Sequence, residues 1–115
     1  MHFPWFVCEI GSEIIGYAYA NYWKSRSAYR FSAESTIYLK QDFAGFGIGS
    51  ALYHNLIDHL KKSGFHNVLA SVALPNEASI RFHEKFGYQE VGIIKEVGFK
   101  FEKRIDVAIF QLILE

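Results

Sequence analysis

Three glycines at alternate positions, Gly45, Gly47 and Gly49, have the spacing that points most directly to chemistry. They separate a β-forming segment from a helical pattern, where unpaired N–H groups and the positive end of a helix dipole favour phosphate. The segment is not a P-loop, because no Lys-Ser/Thr pair follows the last glycine. It also matches a dinucleotide-binding fingerprint poorly, because the spacing differs and no acidic residue ends the next strand. Taken alone, a structural strand-to-helix turn explains it equally well.

Hydrophobic periodicity predicts the elements that must position these glycines. Ile48, Leu52, Leu56 and Leu60 recur every four residues and predict a helix over about 47–63. Asn76 is a good N-cap for a second, shorter helix that ends before Gly87. Alternating or continuous apolar runs predict six strands, at 5–10, 14–23, 29–40, 68–74, 88–95 and 104–114.

The order of these elements predicts a fold class. A strand, a helix and a strand in the middle of the chain imply a parallel pair with a right-handed crossover. Short turns at both ends imply antiparallel additions. We therefore expect residues 1–115 to form one α/β (α+β) domain, with a mixed, mostly antiparallel sheet, a central parallel strand pair and at least two helices.

Composition excludes several classes of function. The 115 residues hold twelve Lys and Arg against twelve Asp and Glu, whereas a nucleic-acid binder normally carries a basic excess. No uncharged apolar run is long enough to span a bilayer, so neither a nucleic-acid nor a membrane partner is expected. The single cysteine, Cys8, suits a reducing, cytoplasmic location. His54, His59 and His66 lack ligand-like spacing, so no metal is expected.

Two separated motifs resemble those of the GNAT acetyltransferase family. The family pattern V-x-V-x-x-x-x-Q/R-x-x-G-x-G/A matches Ile37-x-Leu39 followed, after four residues, by the segment 44–49. The pattern N-x-x-[AS]-x-x-x-[YH]-x-x-x-G-[FY] matches in the same order, at Asn76, Ser79, His83, Gly87 and Tyr88. Segments throughout the chain, such as Ala33-Glu34-Ser35-Thr36, resemble the phosphinothricin N-acetyltransferase branch.

The resemblance implies transfer of an acetyl group from acetyl-CoA to a primary amine by direct attack. The acceptor in that branch is a small amino acid analogue of the phosphinothricin or methionine sulfoximine type. It also implies an oxyanion-stabilising backbone N–H near Ile37. The residues implied to bind acetyl-CoA are Ile37, Leu39, Ala44, Gly45, Phe46, Gly47, Ile48, Gly49, Ser50, Asn76 and Ser79.

Two side chains are candidate catalytic residues through the same resemblance. Glu34 takes the position of a general base, acting directly or through a water, although an outward strand glutamate would look the same in sequence. His83 takes the place where many relatives carry a tyrosine that protonates the departing thiolate. A histidine that only forms hydrogen bonds within its helix is the alternative, and Asn76 could likewise serve only as an N-cap.

Basic and aromatic side chains cluster where the chain enters the third predicted strand. Lys24, Arg26, Tyr29 and Arg30 could hold the acidic groups of the acceptor. Surface solubility is the alternative explanation for the same four residues.

Two departures from the family pattern leave another function class open. Ala44 stands where the family usually has Gln or Arg, and the chain begins at the family's second strand, so the expected fold is N-terminally truncated. A degenerate CoA-binding or oligomeric interaction module without turnover is therefore the alternative to an enzyme.

Aromatic residues make up 17% of the chain, more rings than so small a domain easily buries. We therefore expect a homodimer or higher oligomer, with aromatic residues such as Tyr17 and Tyr19 in the contact or the acceptor pocket.

Overall fold

A six-stranded sheet with two α-helices forms the protein, as seen in a computed structural model that describes residues 3–24 and 27–114. Along the sheet the strands lie in the order β1-β2-β3-β4-β6-β5. The strands are β1 (Phe6–Ile10), β2 (Glu13–Tyr22), β3 (Ser32–Leu39), β4 (Asn67–Ala73), β5 (Gln89–Lys100) and β6 (Lys103–Ile113), and the helices are α1 (Ile48–Lys62) and α2 (Glu77–Lys85).

The pairing confirms the predicted mixed sheet. β3 and β4 run parallel and are joined through α1, whereas β1–β2, β2–β3, β4–β6 and β5–β6 are antiparallel. None of the helices within 3–24 and 27–114 is both long and apolar enough to cross a membrane.

The predicted apolar stripe of α1 forms much of the core. Leu52, Leu56 and Leu60 are buried, and α1 packs on β1, β2 and β3. At its C-terminal end, Gly64 adopts a φ of 88°, which is the left-handed cap expected of glycine there. The last turn of α1 holds three basic side chains, which suit the negative end of the helix dipole.

Two strand predictions need correction. The third strand begins at Ser32 and not at residue 29, because Ser27–Tyr29 form a 3-10 turn in which the Ser27 carbonyl accepts from the Arg30 backbone and guanidinium. The fifth strand continues to Lys100, past a register shift after Ile94. At that shift the Asp106 carboxylate accepts from the Glu96 N–H at 2.8 Å, so the strand tolerates an irregularity that reads as a turn in sequence.

Aromatic side chains occupy both faces of the sheet. On the helix-covered face, Phe110 is fully buried. On the opposite face, Trp5 stacks on Tyr19 with ring centroids 4.0 Å apart, and Tyr17 stacks on Tyr38. Trp5 and Tyr38 remain exposed, so part of the aromatic surplus lies at the surface.

Candidate active site

The central parallel strand pair separates part-way along its length. β3 and β4 pair only from Ser32 with Asn67 to Glu34 with Leu69, although the strands continue to Leu39 and Ala73. Beyond the paired segment lies a cleft of about 130 Å³. The cleft is lined by Glu34, Ser35, Thr36, Ile37, Ser71, Ser79 and His83.

Backbone donors of β3 face this cleft. The Lys40 N–H donates to the Ile15 carbonyl of β2 at 2.8 Å. Because backbone groups alternate in direction along a strand, those of Ile37 and Leu39 point away from β2, toward β4. The register of the described strands gives neither residue a partner in β4. The Ile37 N–H is therefore placed to donate to an oxygen atom in the cleft.

Successive side chains of β3 reach opposite faces of the sheet, as strand geometry requires. Ser35 lies on the face covered by the helices, where its hydroxyl meets Tyr53 of α1. Glu34 lies on the other face, half-buried, and its Oε2 accepts from the Ser71 hydroxyl of β4 at 3.2 Å. The cleft thus places a carboxylate on one face of the sheet within reach of groups on the other.

His83 of α2 closes the helix side of the cleft and is 4% exposed. Its Nδ1 lies 2.8 Å from the Ser79 carbonyl, which can only accept, so Nδ1 carries the proton. Its Nε2 lies 2.9 Å from the Tyr53 hydroxyl, which therefore donates. Burial lowers the pKa of His83, and the hydrogen bond to Ser79 only partly offsets this effect. The imidazole is accordingly neutral near pH 7.

Three hydroxyl groups continue from His83 into the core. The Ser35 Oγ lies 2.6 Å from the Tyr53 hydroxyl and 2.9 Å from the Tyr88 hydroxyl. Burial raises the pKa of both tyrosines, so both remain protonated. Sequence reasoning did not single out Tyr53, although its position four residues after Gly49 and three before Leu56 places it on the buried side of α1.

The glycine segment leads directly into α1, whose N-terminus has no side-chain cap. Gly47 is the N-cap, with a φ of 78°, and its carbonyl accepts the first intrahelical bond from Ala51. The N–H groups of Ile48, Gly49 and Ser50 therefore have no helical acceptor. The first turn contains no acidic side chain, so nothing in it neutralises the positive end of the dipole.

The three glycines differ in backbone conformation and in surroundings. A Cβ on Gly45 or Gly47 would meet no atom within 4 Å, yet both residues have positive φ. A Cβ on Gly49 would contact Phe82 Cε1 at 3.5 Å, so this glycine lies where α1 approaches α2. Ala44 has no side chain to offer a phosphate, and its N–H already donates to the Gln41 carbonyl at 3.1 Å.

Comparison with known proteins identifies the family. The model of the Acetyltransferase (GNAT) family matches residues 2–88. The chain belongs to the GNAT acetyltransferase family. A curated relative, the phosphinothricin N-acetyltransferase of Streptomyces viridochromogenes, is 38% identical over 109 residues, which cover 95% of this chain and 60% of the relative. The GNAT chain described here therefore spans about 60% of that relative's length.

Solved acetyltransferase structures share the fold over nearly the whole chain. An N-acetyltransferase from Staphylococcus aureus Mu50 superposes with a TM-score of 0.94 at 34% identity, covering 99% of this chain and 69% of that one. A phosphinothricin acetyltransferase from Sinorhizobium meliloti, solved in complex with AcCoA, gives a TM-score of 0.90 at 35% identity, covering 97% and 61%.

The second GNAT motif begins as a helix cap. The Asn76 Oδ1 accepts from the Ser79 N–H at 3.1 Å, so the N-cap role considered from the sequence is present. This bond leaves the side-chain NH₂ of Asn76 as a donor. Ser79, one turn later, lines the cleft, and its Oγ lies 3.4 Å from His83 Nδ1.

A groove of about 370 Å³ lies between the two helices of this GNAT fold. Ser50 and Ala51 at the start of α1 form one wall, and Lys85 and Phe86 at the end of α2 form another. His54 also lines the groove. Lys85 and His54 were not among the residues chosen from the sequence, because neither belongs to a motif. Their placement beside free helix N–H groups is visible only in the fold.

The basic cluster predicted to hold the acceptor lies at the start of β3, outside the cleft lining. Lys24 Nζ lies 4.7 Å above the Trp23 ring, and Tyr29 packs edge-on against the same ring. The Arg30 guanidinium donates to the Ser27 carbonyl at 2.7 Å. Arg26 lies outside the described residues.

Proposed function

We propose that this protein transfers an acetyl group from acetyl-CoA to the primary amine of a small amino acid analogue. The acceptor would be of the phosphinothricin or methionine sulfoximine type, and the amine would attack directly. One observation supports this most strongly: Glu34 and His83 both line the cleft between β3 and β4. Membership of the GNAT family and the acetyltransferases named above support the same reaction.

The residues present fit a cofactor that carries phosphates. The free N–H groups of Ile48, Gly49 and Ser50 would bind the pyrophosphate, and the open space above Gly45 and Gly47 lets it approach closely. The groove between the helices continues from this point and offers Lys85 as a cation near further phosphate. Of the remaining predicted contacts, Ile37 and Ser79 line the cleft, and Leu39, Phe46 and Asn76 are proposed from the resemblance.

Glu34 is the proposed general base. Its carboxylate is half-buried, faces the cleft and accepts from Ser71. It would take the proton that the amine must lose, directly or through one water, as the new C–N bond forms. Bound acetyl-CoA supplies the activated thioester. The Ile37 N–H would donate to the carbonyl oxygen as negative charge develops there.

His83 is the proposed donor to the departing sulfur when the C–S bond breaks. The neutral ring holds its one proton on Nδ1, next to Ser79, and both residues line the cleft. His83 would stay neutral and share its Nδ1 proton with the sulfur as a hydrogen bond, and the leaving thiolate, whose ordinary pKa is about 8.5, would take its proton from water.

Acceptor binding by Lys24, Arg26, Tyr29 and Arg30 stays a proposal. Its support is that Trp23 pairs with Ser32, which is only two residues before Glu34, so the cluster lies at the Glu34 end of the cleft. The Arg30 guanidinium retains donors beyond the one bound to Ser27.

The test is turnover by the purified chain. Acetyl-CoA and a panel of amines that includes phosphinothricin and methionine sulfoximine would be supplied, and free thiol release would be followed. Amine-dependent thiol release, with mass-spectrometric detection of the acetylated amine, is the expected result. Binding of CoA by calorimetry without thiol above background across the panel would exclude turnover and favour a CoA-binding module.

We further propose that the protein is a cytoplasmic homodimer or larger assembly. The exposed aromatic face with Trp5 and Tyr38, and exposed Val97 and Phe99 on edge strand β5, support self-association. The free Cys8 suits a reducing compartment. Light scattering at micromolar concentration that showed only a monomer would contradict the assembly.

A further inference from the structure

Of the seven residues of β4, all of which the structure describes, only Ser71 lines the cleft. Its neighbour across the sheet in β6 is Ile109, an apolar residue. On the β3 side the register ends at Leu69, two residues earlier, so no backbone ladder covers this part of β4. Ser71 is exposed and belongs to neither GNAT motif. The fold therefore presents a hydroxyl to the cleft where the two parallel strands have separated.

The Glu34 carboxylate determines how the Ser71 hydroxyl is used. A carboxylate that acts as a base is ionised and can only accept, so Ser71 Oγ donates its single proton to Glu34 Oε2, at 3.2 Å. Among the residues that the structure describes, this is the one hydrogen bond of either side chain. The second carboxylate oxygen, Oε1, and the lone pairs of Ser71 Oγ are therefore free to accept from a molecule in the cleft.

We propose that Ser71 is a specificity-determining residue, which accepts a hydrogen bond from the amine nitrogen of the acceptor and thereby selects primary over secondary amines. The inference rests on the proposed acetyl transfer and names a further contact for the same acceptor. A neutral primary amine has one lone pair and two N–H groups. As the lone pair forms the C–N bond, one N–H would lose its proton to Glu34, directly or through one water. The other N–H would donate to Ser71 Oγ and remain on the amide, while the C–S bond breaks and the thiolate takes a proton from water.

An N-methyl amine would lack one of these two contacts. Its neutral form has a single N–H, and this group supplies the proton that passes to Glu34. Ser71 Oγ would then face a methyl group and have no donor. A hydrogen bond between uncharged groups contributes about three- to tenfold to an equilibrium or rate ratio, so the site should favour a primary amine by at least this factor.

Selection between two amines distinguishes this role from simple orientation of the carboxylate. Proton transfer to Glu34 is common to primary and N-methyl amines, so a hydroxyl that only held Glu34 in place would affect both alike. A hydroxyl that contacts the second N–H would affect the primary amine alone.

The experiment measures kcat/KM for a primary amine and for its N-methyl derivative, by thiol release at saturating acetyl-CoA. The primary amine is phosphinothricin, or whichever amine of the panel is turned over fastest. Ser71→Ala should lower kcat/KM for the primary amine by about three- to tenfold and change that for the N-methyl amine by less than about twofold. Ser71→Thr, which keeps a hydroxyl, should recover most of the selectivity. Ser12→Ala, in the exposed turn between β1 and β2, is the control and should match the wild type.

Several results would overturn the inference. Equal losses for both amines would do so, because Ser71 would then act only through Glu34 or through the strand. An unchanged kcat/KM for the primary amine in Ser71→Ala would also do so. If Ser71→Ala does not fold, Ser71→Val against Ser71→Thr gives the same comparison, since the two side chains have nearly the same shape and only threonine has the hydroxyl.

Two other outcomes have a defined meaning. If the wild type turns over no N-methyl amine, Ser71→Ala is repeated in a Glu34→Gln background: the same fold loss for the primary amine supports the contact with the amine, and no loss overturns it. Absence of turnover by a wild type that binds CoA would overturn the proposed function, and the inference with it. Normal wild-type turnover combined with unaltered selectivity in Ser71→Ala would overturn the inference alone.

Discussion

Gly47→Ala and Gly49→Ala test the glycine segment. Gly47 has a left-handed backbone conformation, whereas Gly49 lies where α1 contacts α2. Gly47 has a φ of 78°, and a methyl group added to its Cα would have no atom within 4 Å, so its substitution would introduce backbone strain and no clash. A left-handed conformation costs an L-residue about 1–2 kcal/mol. Gly49 has no such φ, and its added methyl would make an ordinary contact with Phe82 at 3.5 Å.

The expected changes in stability therefore differ in sign or in size. Gly47→Ala should lower the free energy of unfolding by about 1–2 kcal/mol. Gly49→Ala should leave it unchanged or raise it by up to about 1 kcal/mol, because alanine favours a helix over glycine. Urea unfolding monitored by far-UV circular dichroism gives both values. Equal midpoints for Gly47→Ala and the wild type, or a larger loss for Gly49→Ala, would refute this reasoning.

CoA binding supplies the functional half of the same test. The methyl group of Gly47→Ala would occupy the space through which a phosphate must approach the N–H of Ile48. We expect its affinity for CoA to fall by about tenfold or more, which corresponds to about 1.4 kcal/mol. Calorimetry on the folded variant separates this loss from the loss of stability. Wild-type affinity in both glycine variants would show that the segment is only a structural turn.

Three further substitutions test the cleft and its support. Glu34→Gln should reduce kcat/KM by about 10²–10⁴-fold, the usual contribution of a general base, while Glu77→Gln, on the exposed start of α2, should match the wild type in the thiol-release assay. Burial holds the pKa of His83 below its usual value. As the pH falls, the unfolded chain therefore binds a proton at this side chain at a higher pH than the native protein does. Stability should therefore fall as pH drops through about 6.5, and His83→Gln should lose less stability than the wild type between urea titrations at about pH 7.5 and pH 5.5. Gly16→Ala should cost about 1–3 kcal/mol by overpacking, since its Cβ would lie 2.9 Å from Leu39 Cδ1; an unchanged urea midpoint would show that Leu39 can move aside.

The elements with strong periodicity could be predicted from the sequence. The four-residue repeat of α1, the cap at Asn76 and the crossover between β3 and β4 all depend on local patterns, and all are present. The start of β3 was placed too early because Tyr29 and its neighbours favour strands. A hydrogen bond from Arg30 to Ser27 instead stabilises a 3-10 turn there, and sequence periodicity does not encode such a bond.

The residues of the candidate site also include some that the sequence predicts and some that it does not. The resemblance selected Glu34 and His83, and the structure brings both to one cleft. It could not select Tyr53 or Ser71, because each is connected to the site through a partner distant in the sequence: Tyr53 is hydrogen-bonded to His83, and Ser71 to Glu34. Such pairs depend on the register of β3 against β4 and on the approach of α1 to α2.

The separation of β3 and β4 allows the two predicted catalytic groups, Glu34 and His83, to reach the same cleft. Adjacent side chains of a strand face opposite sides of a sheet, so Glu34 and the hydroxyl chain that starts at Ser35 would be isolated from each other in a continuous sheet. Pairing stops at Glu34 and Leu69, and the opening that follows joins the two faces at Ile37, where a backbone donor is available. In the proposed reaction, the base on one face would take the proton of the amine and the donor on the other face would serve the departing sulfur, and both of these atoms are bonded to the same carbonyl carbon. The proposed catalytic arrangement thus depends on the strand pairing, and neither motif contains it alone.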